Sequence, residues 1–280
     1  MTDYLKCAII SVGFCILVYF SEETGMYIAD IDTAAGAAAN KAEVLNKHFG
    51  KYFLRSVMAG FYMVVATLLS NVSAAVLYQV EAYRPFAKLT GALLFSIAIV
   101  LIVFIGGELF TGNNMTMALG VYHKRVKVAD MLKVWVVSYI GNFVGAFVLS
   151  AIFVGSGASK GIMIDYYNSF IPAKISAPAM ELFLRGILCN FMVCLAVWTG
   201  TRMKSESGKL IVMFCVIMTF VVSGFEHCIA NMGTFSIAYM LLGGLDMGLV
   251  MKSMLFVTLG NIVGGAVLLA LPLKLMSYDK

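Results

Sequence analysis

Ser223-Gly224-Phe225-Glu226-His227-Cys228-Ile229-Ala230-Asn231-Met232 sets a glycine and two adjacent ionisable residues inside an apolar stretch of helix length. The run before it, Leu210 to Val222, is almost wholly hydrophobic. Glu226 and His227 therefore fall at membrane depth, where charge is expensive and ionisable residues characteristically mark a substrate or proton path. This stretch reads as the middle of a pore.

The rest of the chain supplies the membrane setting. With 280 residues, 61% of them hydrophobic, only 12% charged and a mean hydropathy of +0.92, it has more apolar surface than a soluble domain of this length hides. The apolar segments lack period-2 alternation, so helices rather than a barrel must satisfy the backbone. Six segments approach the length of about 20 residues that a span needs: Leu54 to Tyr78, Leu89 to Phe110, Val134 to Gly155, Met180 to Gly200, Leu210 to Phe235 and Met254 to Leu275.

Charge gathers between them. Lys124, Arg125, Lys127 and Lys133 follow the second segment, and Arg202, Lys204 and Lys209 follow the fourth, whereas the opposite loops hold fewer cations, among them Lys160 and Lys174. The positive-inside bias then makes residues 121–133 and 201–209 cytoplasmic and turns both ends of the six-span core inward. The net charge of +5 is accordingly topology rather than a nucleic-acid surface. Cys7, Cys15, Cys189, Cys194, Cys215 and Cys228 all lie in apolar segments without metal-ligand spacing, and read as buried free thiols. Neither metal nor cofactor is implied.

Residues 1–25 form an N-terminal extension whose apolar run, Cys7 to Phe20, is short for a span. It is a signal-like segment, an interfacial segment, a seventh helix, or a stretch upstream of a start at Met26. Residues 26–53 follow as an amphipathic helix, with Ile31, Ala34, Ala35, Ala38, Ala42, Leu45 and Phe49 at helical spacing and Asn40, Lys41, Glu43 and Lys47 elsewhere. That helix either lies on the cytoplasmic interface or gates the pore mouth. Residues 54–277 make the six-span domain.

A second interruption matches the first. Gly106-Gly107-Glu108-Leu109-Phe110-Thr111-Gly112-Asn113-Asn114-Met115 ends the second segment with glycines and polar residues, and non-helical backbone at that depth is tolerated only where protein or a water-filled cavity receives it. Internal similarity links the two halves. Ile140-Gly141-Asn142-Phe143-Val144-Gly145-Ala146 recurs as Leu259-Gly260-Asn261-Ile262-Val263-Gly264-Gly265, Arg55-Ser56-Val57-Met58 is echoed by Arg185-Gly186-Ile187-Leu188, and Asn114-Met115 by Asn231-Met232. Three spans per half is an odd number, so the halves form an inverted repeat with a site where the second and fifth helices break.

Glu108-Leu109-Phe110-Thr111-Gly112, Arg185-Gly186-Ile187-Leu188-Cys189-Asn190 with Val193-Cys194-Leu195-Ala196-Val197-Trp198, and Gly224-Phe225-Glu226-His227 through Ala230-Asn231-Met232 resemble the formate/nitrite transporter family, from about residue 27 to the C-terminus. The stretches 107–115 and 173–180 look closest to nitrite-channel and hydrosulfide-channel members. The resemblance implies an all-α, aquaporin-like fold, a homopentamer with one pore per protomer, and passage of small monovalent weak-acid anions or their neutral acids across the cytoplasmic membrane. It makes Thr111 and His227 the central polar pair, Lys174 a vestibule cation, and Asn114 and Asn231 further pore residues. Leu109, Phe110, Phe220, Phe95 and Ile99 become the constrictions, Ile99 standing where the family often has leucine.

A bare anion loses its hydration in an apolar ring, and its conjugate acid loses far less. The expected mechanism is thus capture near Lys174, protonation directly or through water beside His227 and Thr111, and passage as the weak acid. Glu226 and Glu108 are expected to be structural, and Arg185 to pair with Glu181. The competing function is a proton-coupled symporter of the same anions. A water or glycerol facilitator is disfavoured because paired Asn-Pro-Ala boxes are absent, and an enzyme because no nucleophile, base and orienter set is found.

Overall fold

The computed structural model describes residues 28–277, and every regular element among them is helical. The extension 1–25, with Cys7 and Cys15, lies outside the described residues. Helix α1 covers 28–47. Its stripe Ile31, Ala34, Ala35, Ala38, Ala42 and Leu45 is buried as the spacing predicts. Phe49, the last of the series, is exposed and stacks on Phe53, because the chain turns at His48 and starts a new helix there. Lys41 points inward and pairs with Glu108 at 2.6 Å. Asp30 pairs with Arg202 at 2.7 Å and Asp32 with Arg125 at 3.4 Å, so α1 lies across the end of the bundle that carries residues 121–133 and 201–209.

The chain continues through α2 (Phe49–Tyr78), α3 (Arg84–Phe95), α4 (Ile97–Val100), a π-helical turn (Leu101–Gly106) and α5 (Phe110–Tyr122). Then come α6 (Val128–Ser156), α7 (Lys160–Ser176), α8 (Ala179–Arg202), α9 (Glu206–Val222), α10 (Cys228–Leu242), α11 (Met247–Ile262), a second π-helical stretch (Val263–Leu269) and α12 (Ala270–Leu275). Five stretches are long and apolar enough to cross a membrane: Phe49–Tyr78, Glu81–Gly106, Val128–Ser156, Ala179–Arg202 and Met247–Leu275. The apolar segment 210–235 is divided between α9, of 17 residues, and α10, of 15.

Helix α7 occupies what hydropathy marks as a loop. Asp165, Asn168, Ser169 and Lys174 dilute its apolar content, yet Met163, Tyr167, Ile171 and Ile175 recur every four residues and are buried against Ala75, Phe235, Ile237 and Leu241. Lys174 is therefore carried on a helix.

Two close helix pairs form the frame, α2 on α6 and α8 on α11. Both depend on glycine for backbone approach: a Cβ on Gly145 would strike the Val57 carbonyl, and one on Gly264, in the π-helical stretch that continues α11, the Ile187 carbonyl. Val57 and Ile187 sit at the same place in the echoed Arg55 and Arg185 motifs. Leu54, Val136, Ile152, Leu184 and Met251 face outward and are exposed, as in a multi-pass protein surrounded by lipid tails.

Candidate functional site

Two non-helical junctions meet at the centre. In the first, Gly106 takes a φ of 97°, a conformation that costs glycine little, and the backbone is extended at Gly107 and again at Leu109 before α5 begins at Phe110. In the second, Gly224 has a φ of 77° and His227 is extended before α10 begins at Cys228.

Matching hydrogen bonds secure both. The Glu108 N–H donates to the Arg55 carbonyl at 3.1 Å, and the Glu226 N–H to the Arg185 carbonyl at 3.3 Å. Asn142 Nδ2 donates to the carbonyls of Ser56 at 2.8 Å and Glu108 at 2.9 Å, while its Oδ1 accepts from the Phe110 N–H at 2.9 Å. Asn261 repeats this with the carbonyls of Gly186 and Glu226, at 2.8 and 2.9 Å, and the Cys228 N–H at 2.9 Å. Buried asparagine thus satisfies backbone groups that the interrupted helices leave without partners.

The carboxylates face cations. Glu108 Oε2 accepts from Lys41 at 2.6 Å, Tyr52 at 3.0 Å and Asn113 at 3.3 Å. Glu226 Oε2 accepts from Lys174 at 2.6 Å and Asn231 at 2.9 Å. Each asparagine lies five residues after its glutamate, so hydrogen bonding equates Asn113 with Asn231, one residue earlier than the Asn114 to Asn231 match of the sequence. Asn114 instead accepts from Asn190 Nδ2 at 3.0 Å. Arg185 pairs with Glu181 one turn away.

His227 caps α10, its Nδ1 accepting from the Ala230 N–H at 3.0 Å. A nitrogen that accepts carries no hydrogen, so the ring is neutral and its hydrogen sits on Nε2. Nε2 lies 3.0 Å from Thr111 Oγ1 and donates to it. Thr111 is held in turn through its carbonyl, which accepts from Asn190 Nδ2 at 3.2 Å and from the Cys194 thiol at 3.3 Å. Cys194, Cys189 and Cys228 are free and buried, whereas Cys215 is free but exposed on α9, contrary to the expected burial, and no group of residues able to hold a metal ion occurs among the described residues.

Two cavities adjoin the histidine. The inner one measures about 10 Å³, roughly one water, and is lined by Phe95, Ile99, Leu109, Phe220 and His227 together with Met63, Ala98, Ile102, Val193 and Ile217. The outer one, about 130 Å³, is lined by Lys174, Asn231, His227, Phe95 and Phe220, and also by Thr67, Ser70, Asn71 and Thr234. Phe95 and Phe220 meet edge-on at 6.0 Å where the cavities join, and Phe220 lies 6.1 Å from the His227 ring.

Thr111 lines neither cavity and adjoins them only through its bond to His227. Asn114 lines neither, and Phe110 turns to Tyr139, with ring centroids 4.9 Å apart. Sequence reasoning missed Ile102 and Ile217, although helical spacing from Phe95 and Ile99, and from Phe220, points to both. It also missed Asn71 and Thr234, whose signal was only a polar residue inside an apolar span.

A family model described as formate/nitrite transporter matches residues 30–275. The nitrite transporter NirC of Escherichia coli is 33% identical over 253 residues, covering 86% of this chain and 90% of NirC. The formate channel FocA of Haemophilus influenzae is 33% identical over 260 residues, covering 84% of this chain and 89% of FocA. Among solved structures, an FNT family ion channel superposes with a TM-score of 0.79 at 28% identity, covering 87% of this chain and 97% of that one. A pentameric formate channel with formate bound superposes with a TM-score of 0.68 at 28% identity, covering 81% and 96%. With its helical bundle, its apolar spans and a family match along nearly the whole chain, this multi-pass membrane protein belongs to the formate/nitrite transporter family.

Proposed function

We infer that the chain is a channel for small monovalent weak-acid anions, namely formate, nitrite or hydrosulfide, which cross as their neutral acids. The observation that carries this reading is His227, buried, bonded to Thr111 at 3.0 Å and placed at the wall of an apolar cavity of about 10 Å³. An anion there would lose its water with nothing to replace it, and its neutral acid loses far less. Protonation therefore precedes the slit.

The Nδ1 hydrogen bond favours one proton route over the other. If His227 gave its only ring hydrogen directly to the anion it would become an imidazolate, whereas hydronium in the outer cavity converts the anion to the acid and leaves water. In this mechanism the Nε2 hydrogen of the imidazole is held by Thr111, the ring so fixed forms one wall of the slit, and Lys174 with Asn231 faces the entering anion. Phe95, Ile99, Leu109 and Phe220 form the constriction.

The paired bonds of Asn142 and Asn261 support an inverted repeat of three spans, with the second and fifth helices broken at residues 107–109 and 223–227. The pentameric neighbour supports a homopentamer. Cation placement supports a cytoplasmic-membrane protein whose residues 121–133, 201–209 and core termini are cytoplasmic, with 26–53 as the helical lead-in to the channel domain 54–277.

Proteoliposome uptake tests the reading. His227→Ala and His227→Asn should each lower formate and nitrite flux by about tenfold or more, the loss of a positioned group at the slit, while flux still rises as external pH falls because hydronium supplies the proton. Unchanged rate in both variants would remove His227 from the mechanism.

A further inference from the structure

The outer cavity holds more hydrogen-bond donors than this mechanism uses. Thr67 commits its hydroxyl to the Met63 carbonyl at 2.9 Å, and Ser70 to the Gly91 carbonyl at 2.8 Å. Lys174 and Asn231 each commit one N–H to Glu226. Asn71 gives one Nδ2 hydrogen to the Tyr167 hydroxyl at 2.8 Å and keeps the other. Thr234, only 8% exposed, lines the cavity, and its hydroxyl has no partner among the described residues.

A hydroxyl that opens to the cavity and is not committed to the protein is available to whatever enters. Asn71 is held at the same wall. Tyr167 is fully buried, its ring 5.2 Å from that of Phe170, so the amide that it holds has a fixed direction at the cavity wall. Lys174 supplies positive charge at the same wall, and the nearest carboxylate, Glu226, already accepts from Lys174 and Asn231.

Resting on the channel reading, we propose that Asn71 and Thr234 make the outer cavity a binding site for small anions with two acceptor oxygens, held beside Lys174 before the Phe95–Phe220 slit. Formate and nitrite present separate oxygens to separate fixed donors. Hydrosulfide presents one sulfur, a weak acceptor, and gains little from either. The two side chains thus set a preference for the oxyanions, because a site built to hydrogen-bond its ligand discriminates against one that leaves its donors unpaired.

The test is the concentration dependence of formate, nitrite and hydrosulfide flux in proteoliposomes, for the unmodified chain and for Thr234→Val, Thr234→Ser and Asn71→Leu. Thr234→Val and Asn71→Leu should each raise the half-saturating concentration of formate and nitrite by about fivefold, the effect of losing one charge-assisted hydrogen bond in a wet cavity. Hydrosulfide should shift by less than about twofold, and Thr234→Ser should behave as the unmodified chain. Equal shifts for all three anions, loss of maximal flux alone, or no shift for the oxyanions would each overturn the proposal. An unmodified chain that carries none of the three would overturn the channel reading instead.

Discussion

Residues 106–115 and 223–232 are secured by the same hydrogen bonds and differ where the slit is lined. After Glu108 comes Leu109, and after Glu226 comes His227; both line the inner cavity. Around them Asn142 and Asn261 make three matching bonds each, and both glutamates accept from a lysine. The frame is therefore indifferent to the side chain it presents, because it grips main chain and carboxylate only. Chemistry resides where the two regions differ, above all Leu109 against His227 and Thr111 against Ile229, and structure in the glutamates and asparagines where they agree.

The most damaging way to probe this agreement is to remove an asparagine. Asn142→Leu leaves the Phe110 N–H and the Ser56 and Glu108 carbonyls without partners, and Asn261→Leu does the same to Cys228, Gly186 and Glu226. Each stranded group costs about 1–3 kcal/mol, so either variant should lose on the order of 10 °C in melting temperature. The two losses should be alike in detergent-solubilised protein. A large loss in one and none in the other would mean that the two junctions are held by different means.

A smaller effect separates the carboxylates. Glu108→Gln weakens bonds from Lys41, Tyr52 and Asn113, whereas Glu226→Gln weakens bonds from only Lys174 and Asn231. Both also leave a partly buried ammonium unpaired, with Lys41 and Lys174 side chains 23% and 20% exposed. Each substitution should lower stability by about 1–3 kcal/mol, Glu108→Gln the more, measured as the difference in thermal midpoint. The reverse order would show that a third acceptor bond adds nothing.

What could be read in the sequence was local chemical anomaly. Glu226 beside His227, the glycines at 106 and 224, and the apolar stripe of α1 are each conspicuous within a few residues. What escaped depends on partners far along the chain. Lys41 falls with the polar residues by spacing, and only Glu108, 67 residues away, explains why it turns inward. Helix α7 is hidden by its own polar residues, since the surfaces that bury Tyr167 and Ile171 belong to other elements. Phe110 and Leu109 are neighbours in sequence, yet the start of α5 between them sends one to Tyr139 and the other to the slit. Asn71 and Thr234 looked like incidental polar residues until a shared cavity brought them together.

The finest difference between the halves is Tyr52. Counting three residues back from Arg55 and from Arg185 places it opposite Leu182, and both side chains are fully buried. The first half thus adds a hydroxyl, which donates to Glu108 at 3.0 Å and accepts from Asn113 at 3.1 Å, where the second half has only hydrocarbon. Tyr52→Phe keeps the ring's packing, and Glu108 retains Lys41 and Asn113, so no charged group is stranded. The expected loss is about 1 kcal/mol in stability. Flux of formate and nitrite should stay within about twofold, because Tyr52 lines neither cavity and so makes no interaction specific to the transition state. If Tyr52→Phe instead lowers flux as far as His227→Ala does, the proton path extends to Glu108. The asymmetry between Leu109 and His227 then ceases to be where the chemistry is confined.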